Sequence, residues 1–129
     1  AHQTLARAFH PIRIALGEHV SNKVLFKNFL QANAMEINQV DALRVGGISE
    51  FILISLMSRK CGVPVIPHVG DMGQIHQHMV LFNHISMSHP KMFLECIPHL
   101  RKYFKDPATI EDGVYLVPQT PGSSSDFNN

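Results

Sequence analysis

The chain has 129 residues, of which 45% are apolar and 16% charged, so its length and composition indicate one globular domain with a substantial core. The net charge is +1 and basic residues come at most in pairs, which excludes the basic stripe that nucleic acids and anionic membranes require. No apolar run reaches the length of a membrane span, and Cys61 and Cys96 form no CxxC motif, so we expect a soluble, cytoplasmic protein that binds neither nucleic acid nor membrane.

Short segments rich in isoleucine and valine are predicted to be strands. The opening residues, AHQTLARAF, have the pattern of a helix end, and we expect the chain to start partway through a larger fold. Three strands are predicted at IRIALGE (12–18), EINQVDA (36–42) and VPVIPHV (63–69), and HISMS (84–88) is a fourth candidate.

Helical patterns separate these strands. The first helix is predicted over 21–33, with Ser21 or Asn22 as N-cap; its apolar residues at helical spacing are Leu25, Phe29 and Ala32. The second, over 46–62, has Ser49 as a cap and Gly62 as a stop, and it is apolar on nearly all sides. The third is predicted over 74–82.

The pattern changes after residue 90. KMFLECIPHLRKYF (91–104) is predicted to be partly helical as far as its end, and TIEDGVYLVPQTPG (109–122) to form a turn or strand on the surface. We expect residues 1–104 to form one α/β unit and residues 105–129 a tail that packs on it or on a capping domain. Alternating strands and helices indicate parallel strands, as half of an eight-stranded barrel or as a small open sheet.

Ionisable side chains follow three successive predicted strands, namely Glu18, Asp41 and His68. One such residue is usually a solvated loop group, but parallel strands bring their carboxyl ends to a common rim, where α/β active sites lie. Histidine exchanges protons near neutral pH, a neighbouring aspartate can orient its ring, and a glutamate is an oxygen ligand for Mg²⁺. The three residues together therefore favour a proton-transfer site.

Three motifs carry a family resemblance: LGEHVSNKVLFKNFLQA, QVDALRVGGISE and VPVIPHVGDMG. They resemble barrel strands five to seven of the enolase superfamily, in its mandelate racemase subgroup, and look most like sugar-acid dehydratases of the L-fuconate dehydratase type. The resemblance implies a partial (β/α)8 barrel, roughly strands five to eight with their helices, followed by a C-terminal extension.

The resemblance also implies a chemistry and its residues. Members of the superfamily abstract the proton α to a carboxylate and use Mg²⁺ to stabilise the resulting enediolate. Glu18 corresponds to a metal ligand, His68 to the general base and Asp41 to its partner. Glu95, in FLECIPHL, corresponds to the glutamate that hydrogen-bonds the substrate carboxylate. The implied substrate is a sugar acid, and the implied reaction is dehydration.

The chain also departs from the family pattern. It contains no Lys-x-Lys motif, no segments for the earlier barrel strands and no capping domain, and Asp71 stands where similar dehydratases more often have glycine. Two alternatives stay open: a racemase or epimerase of the same superfamily, and a half-barrel that cannot hold the metal by itself. Exposed strand edges would favour association, so we expect a homo-oligomer.

Other polar residues near the strand ends have weaker signals. His19 and Arg44 are candidates for substrate binding, although an exposed loop histidine and a structural salt bridge are the alternatives. Positions i and i+2 of a helix face apart, so we interpret His76 and His78 as hydrogen-bonding or surface groups rather than as zinc ligands with His68.

Overall fold

The computed structural model of the chain describes residues 1–69 and 73–129, so Asp71 lies outside the described residues. The helices are α1 (His2–Ala8), α2 (Lys23–Gln31), α3 (Ile48–Lys60) and α4 (Ile75–Met87), with a 3₁₀ helix at Pro98–Tyr103. The strands are β1 (Ala15–Leu16), β2 (Ile37–Asn38), β3 (Ile110–Glu111) and β4 (Val114–Tyr115).

Four segments lie side by side in the order in which they occur along the chain. β1 pairs with β2 in parallel, and Asn38 forms a parallel bridge to Val65. The N–H of Glu95 donates to the carbonyl of Pro67 at 3.3 Å, which places a fourth segment next to the third. Helices α2, α3 and α4 connect these segments in turn. The fold is therefore α/β and forms half of a (β/α)8 barrel, as the resemblance predicted.

The regular strands are much shorter than the predicted runs. β1 and β2 have two residues each, and the third segment has a single bridge at Val65. A side chain at Gly17 would collide with the backbone of Gln39, so glycine permits the close approach of the first two segments. The residue that follows this contact is Glu18.

Helix α2 begins at the predicted cap but buries a face one residue away from the predicted one. The Asn22 side chain accepts hydrogen bonds from the N–H groups of Val24 and Leu25, both at 3.1 Å. Phe26 and Leu30 are buried, whereas Leu25 and Ala32 are exposed. The buried face of this helix is therefore the i, i+4 pair of Phe26 and Leu30.

Helix α3 differs from its prediction in its cap and in its burial. Its N-cap is Gly47, not Ser49, and the Glu50 carboxylate accepts the N–H of Gly46 at 2.6 Å and that of Lys23 at 2.9 Å. Although this helix is apolar on nearly all sides, which predicts burial on more than one side, it is buried along one face. Phe51, Ile54, Ser55 and Ser58 are buried, while Leu53 and Leu56 are exposed.

The predicted strand at 84–88 was wrong, because α4 continues through Met87 and ends at Ser88 in a left-handed cap. The buried residues of this helix follow helical spacing: His76, Gln77, Met79, Val80, Asn83 and Met87. Ile85, which suggested a strand, is 75% exposed.

The segment after α4 is partly helical up to Phe104, as predicted, and its helical part is a 3₁₀ helix. Residues 91–97 form neither helix nor strand, and only the 3₁₀ turn precedes Phe104. β3 and β4 form an antiparallel hairpin, which confirms the predicted surface element. The tail returns to this region, since the rings of Phe104 and Phe127 lie 5.0 Å apart and the N–H of Lys105 donates to the carbonyl of Asp126. A domain boundary at residue 104 stays a prediction.

The hydrophobic core lies between the parallel segments and helices α2 and α3. Its largest fully buried side chains include Phe26, Met35, Val40, Phe51 and Ile54. No helix among the described residues is both long and apolar enough to cross a membrane.

Candidate active site

Three side chains that follow successive barrel segments meet at one rim of the fold. Asp41 Oδ2 lies 2.9 Å from Nδ1 of His68, and the Glu18 carboxylate oxygen Oε2 contacts Nε2 of the same ring. The ring is 6% exposed, so the histidine is almost enclosed. The structure thus brings together the three residues that were singled out at the strand ends.

Glu95 joins these residues from the fourth segment. Its Oε2 lies 3.5 Å from Nε2 of His68 and accepts a hydrogen bond from the N–H of Val69 at 3.2 Å. Its backbone is held on two sides, by the carbonyl of Pro67 and by the hydroxyl of Tyr115, which donates to the Glu95 carbonyl at 2.8 Å. The hairpin that contains Tyr115 therefore helps to fix Glu95 at the rim.

The carboxylate of Asp41 is 3% exposed and hydrogen-bonded on both oxygens. Oδ1 accepts the N–H of Leu43 at 2.8 Å and lies 3.0 Å from Nε2 of His76, and Oδ2 faces His68. Burial raises the pKa of this carboxyl, but the hydrogen bonds outweigh burial and hold the pKa well below its ordinary range. Asp41 is therefore a fixed anion next to the histidine.

The two candidate substrate-binding residues both contact the rim carboxylates. Arg44 Nη1 donates to the Glu18 carbonyl at 3.3 Å, and its Nε lies 3.4 Å from Asp41 Oδ2. The side chain of His19 is 84% exposed, with Nε2 3.0 Å from Glu18 Oε1. The contacts of Arg44 agree with the salt-bridge alternative, and substrate binding by either residue stays a prediction.

One polar contact of the site was missed from the sequence. His76 was interpreted as a hydrogen-bonding or surface group; it is a hydrogen-bonding group, fully buried, and its partner Asp41 was not predicted. The available signal was its spacing, because His76 shares the buried face of α4 with Met79, Val80 and Asn83. The apolar neighbours could have predicted its burial, although not the identity of its partner.

The donor chemistry of the rim fits one ligand of a magnesium ion. Glu18 offers a carboxylate with its side chain 39% exposed, and carboxylate oxygens are the ligands that Mg²⁺ prefers. Among residues 1–69 and 73–129, however, no group of three or more histidine, cysteine, aspartate or glutamate side chains could hold a metal. Glu18 could therefore supply one ligand, with the remaining ligands coming from outside this set.

Comparison with known proteins establishes the family. Residues 1–129 match the domain described as "Enolase C-terminal domain-like". The chain belongs to this family. The resemblance stated from the three motifs is thus confirmed, and the enolase-type fold agrees with the arrangement of the parallel segments.

Relatives in this family include sugar-acid dehydratases. Human "Mitochondrial enolase superfamily member 1" is 37% identical over 132 residues, which cover 98% of this chain and 30% of that protein. The L-galactonate dehydratase of Hypocrea jecorina is 36% identical over 127 residues, covering 95% of this chain and 28% of that protein. The chain therefore spans less than a third of the length of these relatives.

Solved structures give the same picture. The crystal structure of the human relative superposes with a TM-score of 0.87 at 36% identity, covering 98% of this chain and 30% of that chain. An L-talarate dehydratase from Polaromonas sp. JS666, complexed with Mg and L-glucarate, has a TM-score of 0.68 at 28% identity, with coverage of 91% and 30%. Membership of an enzyme superfamily with sugar-acid dehydratases among its members is established for this enolase-type chain.

Proposed function

We propose that this chain forms part of a Mg²⁺-dependent sugar-acid dehydratase, in which it supplies the base that removes the proton α to the substrate carboxylate. The observation that carries the proposal is the position of His68, with its Nδ1 on Asp41 and its Nε2 between Glu18 and Glu95. The dehydratases among the relatives support the reaction type.

The geometry assigns each nitrogen of His68 a separate task. Asp41 accepts from Nδ1–H, and Nε2 contacts the Glu18 carboxylate at the rim; with Glu18 bound to a cation instead, Nε2 would be free to take a proton. The proton leaves C2 of a 2,3-dihydroxy acid and the C2–H electrons move onto the carboxylate, from which they return to form the C2–C3 double bond as the C3–O bond breaks. His68 then returns the proton to the departing hydroxyl, which leaves as water, and the enol product becomes a 2-keto acid.

Glu95 is placed to bind the carboxylate end of the substrate. Its Oε2 lies 3.5 Å from His68 Nε2, so a substrate whose α-carbon is at the histidine would have its carboxylate within reach of Glu95. In its protonated form, Glu95 can donate a hydrogen bond to that carboxylate, and this bond strengthens as negative charge moves onto the carboxylate oxygens.

Magnesium would lie next to Glu18 in this proposal. When bound, the cation supplies a positive charge that stabilises the electron density accumulating on the substrate carboxylate. Glu18 faces His68, Arg44 and His19, and a cation at its carboxylate would replace some of these contacts.

The test is a screen of sugar acids with Mg²⁺ for a 2-keto product, using the protein that carries this chain. The His68→Asn variant is expected to lose roughly 10²–10⁴-fold in kcat, because its base is gone. His99→Asn serves as the matched control, since His99 is exposed on the 3₁₀ helix and is expected to leave turnover unchanged. Unchanged turnover in His68→Asn would overturn the assignment of the base.

A racemase or epimerase would share the proton-abstraction step. The same screen separates the two reactions, because a racemase inverts C2 of the substrate without loss of water. Inversion that depends on His68, with no 2-keto product, would keep the base assignment and replace dehydration by racemisation.

A further inference from the structure

His76 is a buried histidine that the proposed reaction does not use. It belongs to the first turn of α4, is fully buried, and lies on the opposite side of Asp41 from His68. Its Nε2 is 3.0 Å from Asp41 Oδ1, and the N–H of Ala42 is directed at the same nitrogen at 3.1 Å. Its Nδ1 has no hydrogen-bond partner within residues 1–69 and 73–129.

These contacts determine which nitrogen of His76 carries the proton. A neutral imidazole has one N–H and one lone pair. A proton on Nδ1 would leave a buried donor without an acceptor in the described part of the chain and would turn the Nε2 lone pair toward the anionic Asp41. A proton on Nε2 replaces this repulsion by a charge-assisted hydrogen bond to Oδ1, at the cost of leaving the Ala42 N–H without that acceptor.

A donor at His76 fixes the orientation of the Asp41 carboxylate. Oδ1 then receives two hydrogen bonds, from His76 and from the N–H of Leu43. The carboxylate cannot rotate without losing both, so Oδ2 is kept 2.9 Å from Nδ1 of His68. An anionic oxygen at this place favours a proton on Nδ1 of His68.

We propose that His76 is a positioning residue that selects the orientation and tautomer of His68 by holding Asp41 from behind. The three side chains form a relay, His76–Asp41–His68, built from α4 and from the ends of two barrel segments. The structural part of this proposal stands without any enzymatic activity, whereas its consequence for catalysis rests on the proposed function.

The direct test is the tautomer of each ring, read from ¹⁵N-labelled histidines by long-range ¹H–¹⁵N NMR at about pH 8, above the usual titration range of imidazole. In the unaltered protein we expect the proton on Nε2 of His76 and on Nδ1 of His68. His68→Asn and His76→Gln assign the signals. A proton on Nδ1 of His76 would overturn the proposal. The tautomer itself is measured in the unaltered protein.

Substitutions then test the connection between the two rings. In His76→Phe, the Nδ1–H form of His68 is expected to give way to a mixture of tautomers. His76→Gln should preserve it, because the glutamine amide can donate to Asp41 Oδ1. His78→Gln is the matched control on the same helix, since His78 forms no hydrogen bond with Asp41 in the described part of the chain. An unchanged His68 tautomer in a folded His76→Phe variant would contradict the relay.

Kinetics provide the second arm. If the dehydratase function holds, His76→Phe should lower kcat about tenfold or more with little change in KM, and His76→Gln should restore most of it. Equal losses in the two variants would contradict a positioning role. If the parent protein turns over no sugar acid, the proposed function fails, while the tautomer measurement still decides the role of His76.

Discussion

At the scale of single residues, Asp41 is a buried carboxylate at the centre of the candidate site. A carboxylate that is 3% exposed is costly unless each oxygen is hydrogen-bonded, and both oxygens are. Because the hydrogen bonds lower the pKa of Asp41, the folded state is stabilised by its ionised form. This stabilisation is present above the ordinary aspartate pKa and is lost as pH falls toward the lower pKa of the folded state.

A pH series of denaturation experiments can test this linkage. The free energy of unfolding should exceed that of Asp41→Asn by more at pH 6 than at about pH 3, because at the lower pH the unfolded chain gains stability by protonating this carboxyl while the folded chain keeps it ionised. Asp106→Asn is the control, since Asp106 is exposed and its side chain forms no ion pair or hydrogen bond in the described chain. A difference that does not change with pH would show that Asp41 contributes by shape alone.

The candidate site illustrates how far single residues can be predicted from sequence. Glu18, Asp41 and His68 could be found because an ionisable residue after a strand has a fixed direction in a parallel sheet. His76 could not be placed in the same way, because helical spacing gives its face but not the group it meets. The i, i+2 spacing predicted that His76 and His78 face different ways, and His76 is indeed buried while His78 is partly exposed. The spacing gives no information about Asp41.

At the scale of secondary-structure elements, helices α2 and α3 pack in the same core as the parallel segments. Phe26 from α2 and Ile54 from α3 are fully buried in the same core as Val40, which directly precedes Asp41. Packing of these helices against Val40 therefore helps to fix the position of Asp41 at the rim.

Truncation of a side chain in this core should lower the stability of the whole fold. Phe26→Ala is expected to lower the free energy of unfolding by about 3–5 kcal/mol, because it leaves a cavity in a fully buried cluster. Lys27→Ala, at the next and exposed position of the same helix, should change it by less than about 0.5 kcal/mol. Denaturant titration of both variants measures the difference, and equal losses would contradict the assigned buried face.

Two segments depart from their local sequence pattern for the same physical reason. The run at 84–88 has β-like composition, but Asn83 and Met87 lie on the buried face of α4, so tertiary packing extends the helix through it. Residues 91–97 carry a helix-compatible pattern, yet the position of Glu95 next to Pro67 draws this segment to the sheet. Local propensity is too weak to compete with such contacts.

At the scale of the whole molecule, the half-barrel leaves apolar groups at its surface. Exposed large side chains include Ile12, Val24, Ile85, Phe93, Val114 and Phe127. Strand–helix alternation was sufficient to predict the α/β class, because each helix must return the chain to a parallel neighbour. It could not predict the two-residue length of the regular strands, which depends on what lies next to them.

The exposed apolar surface gives a prediction for the polypeptide in isolation. Expressed by itself, the 129-residue chain should associate, because exposed apolar side chains and open strand edges are unfavourable in water. Sedimentation velocity is expected to show species heavier than 14.5 kDa. A compact monomer at 14.5 kDa that binds little hydrophobic dye would contradict this expectation.

The central claim is that His68 removes the proton α to a carboxylate, and isotope exchange at that carbon tests it most directly. A sugar-acid substrate deuterated at C2 should lose its label in ordinary water when Mg²⁺ and the protein that contains this chain are present, whether the product is dehydrated or racemised. The account predicts that His68→Asn abolishes this loss, while His99→Asn retains it. Label loss at an undiminished rate in His68→Asn would contradict the account.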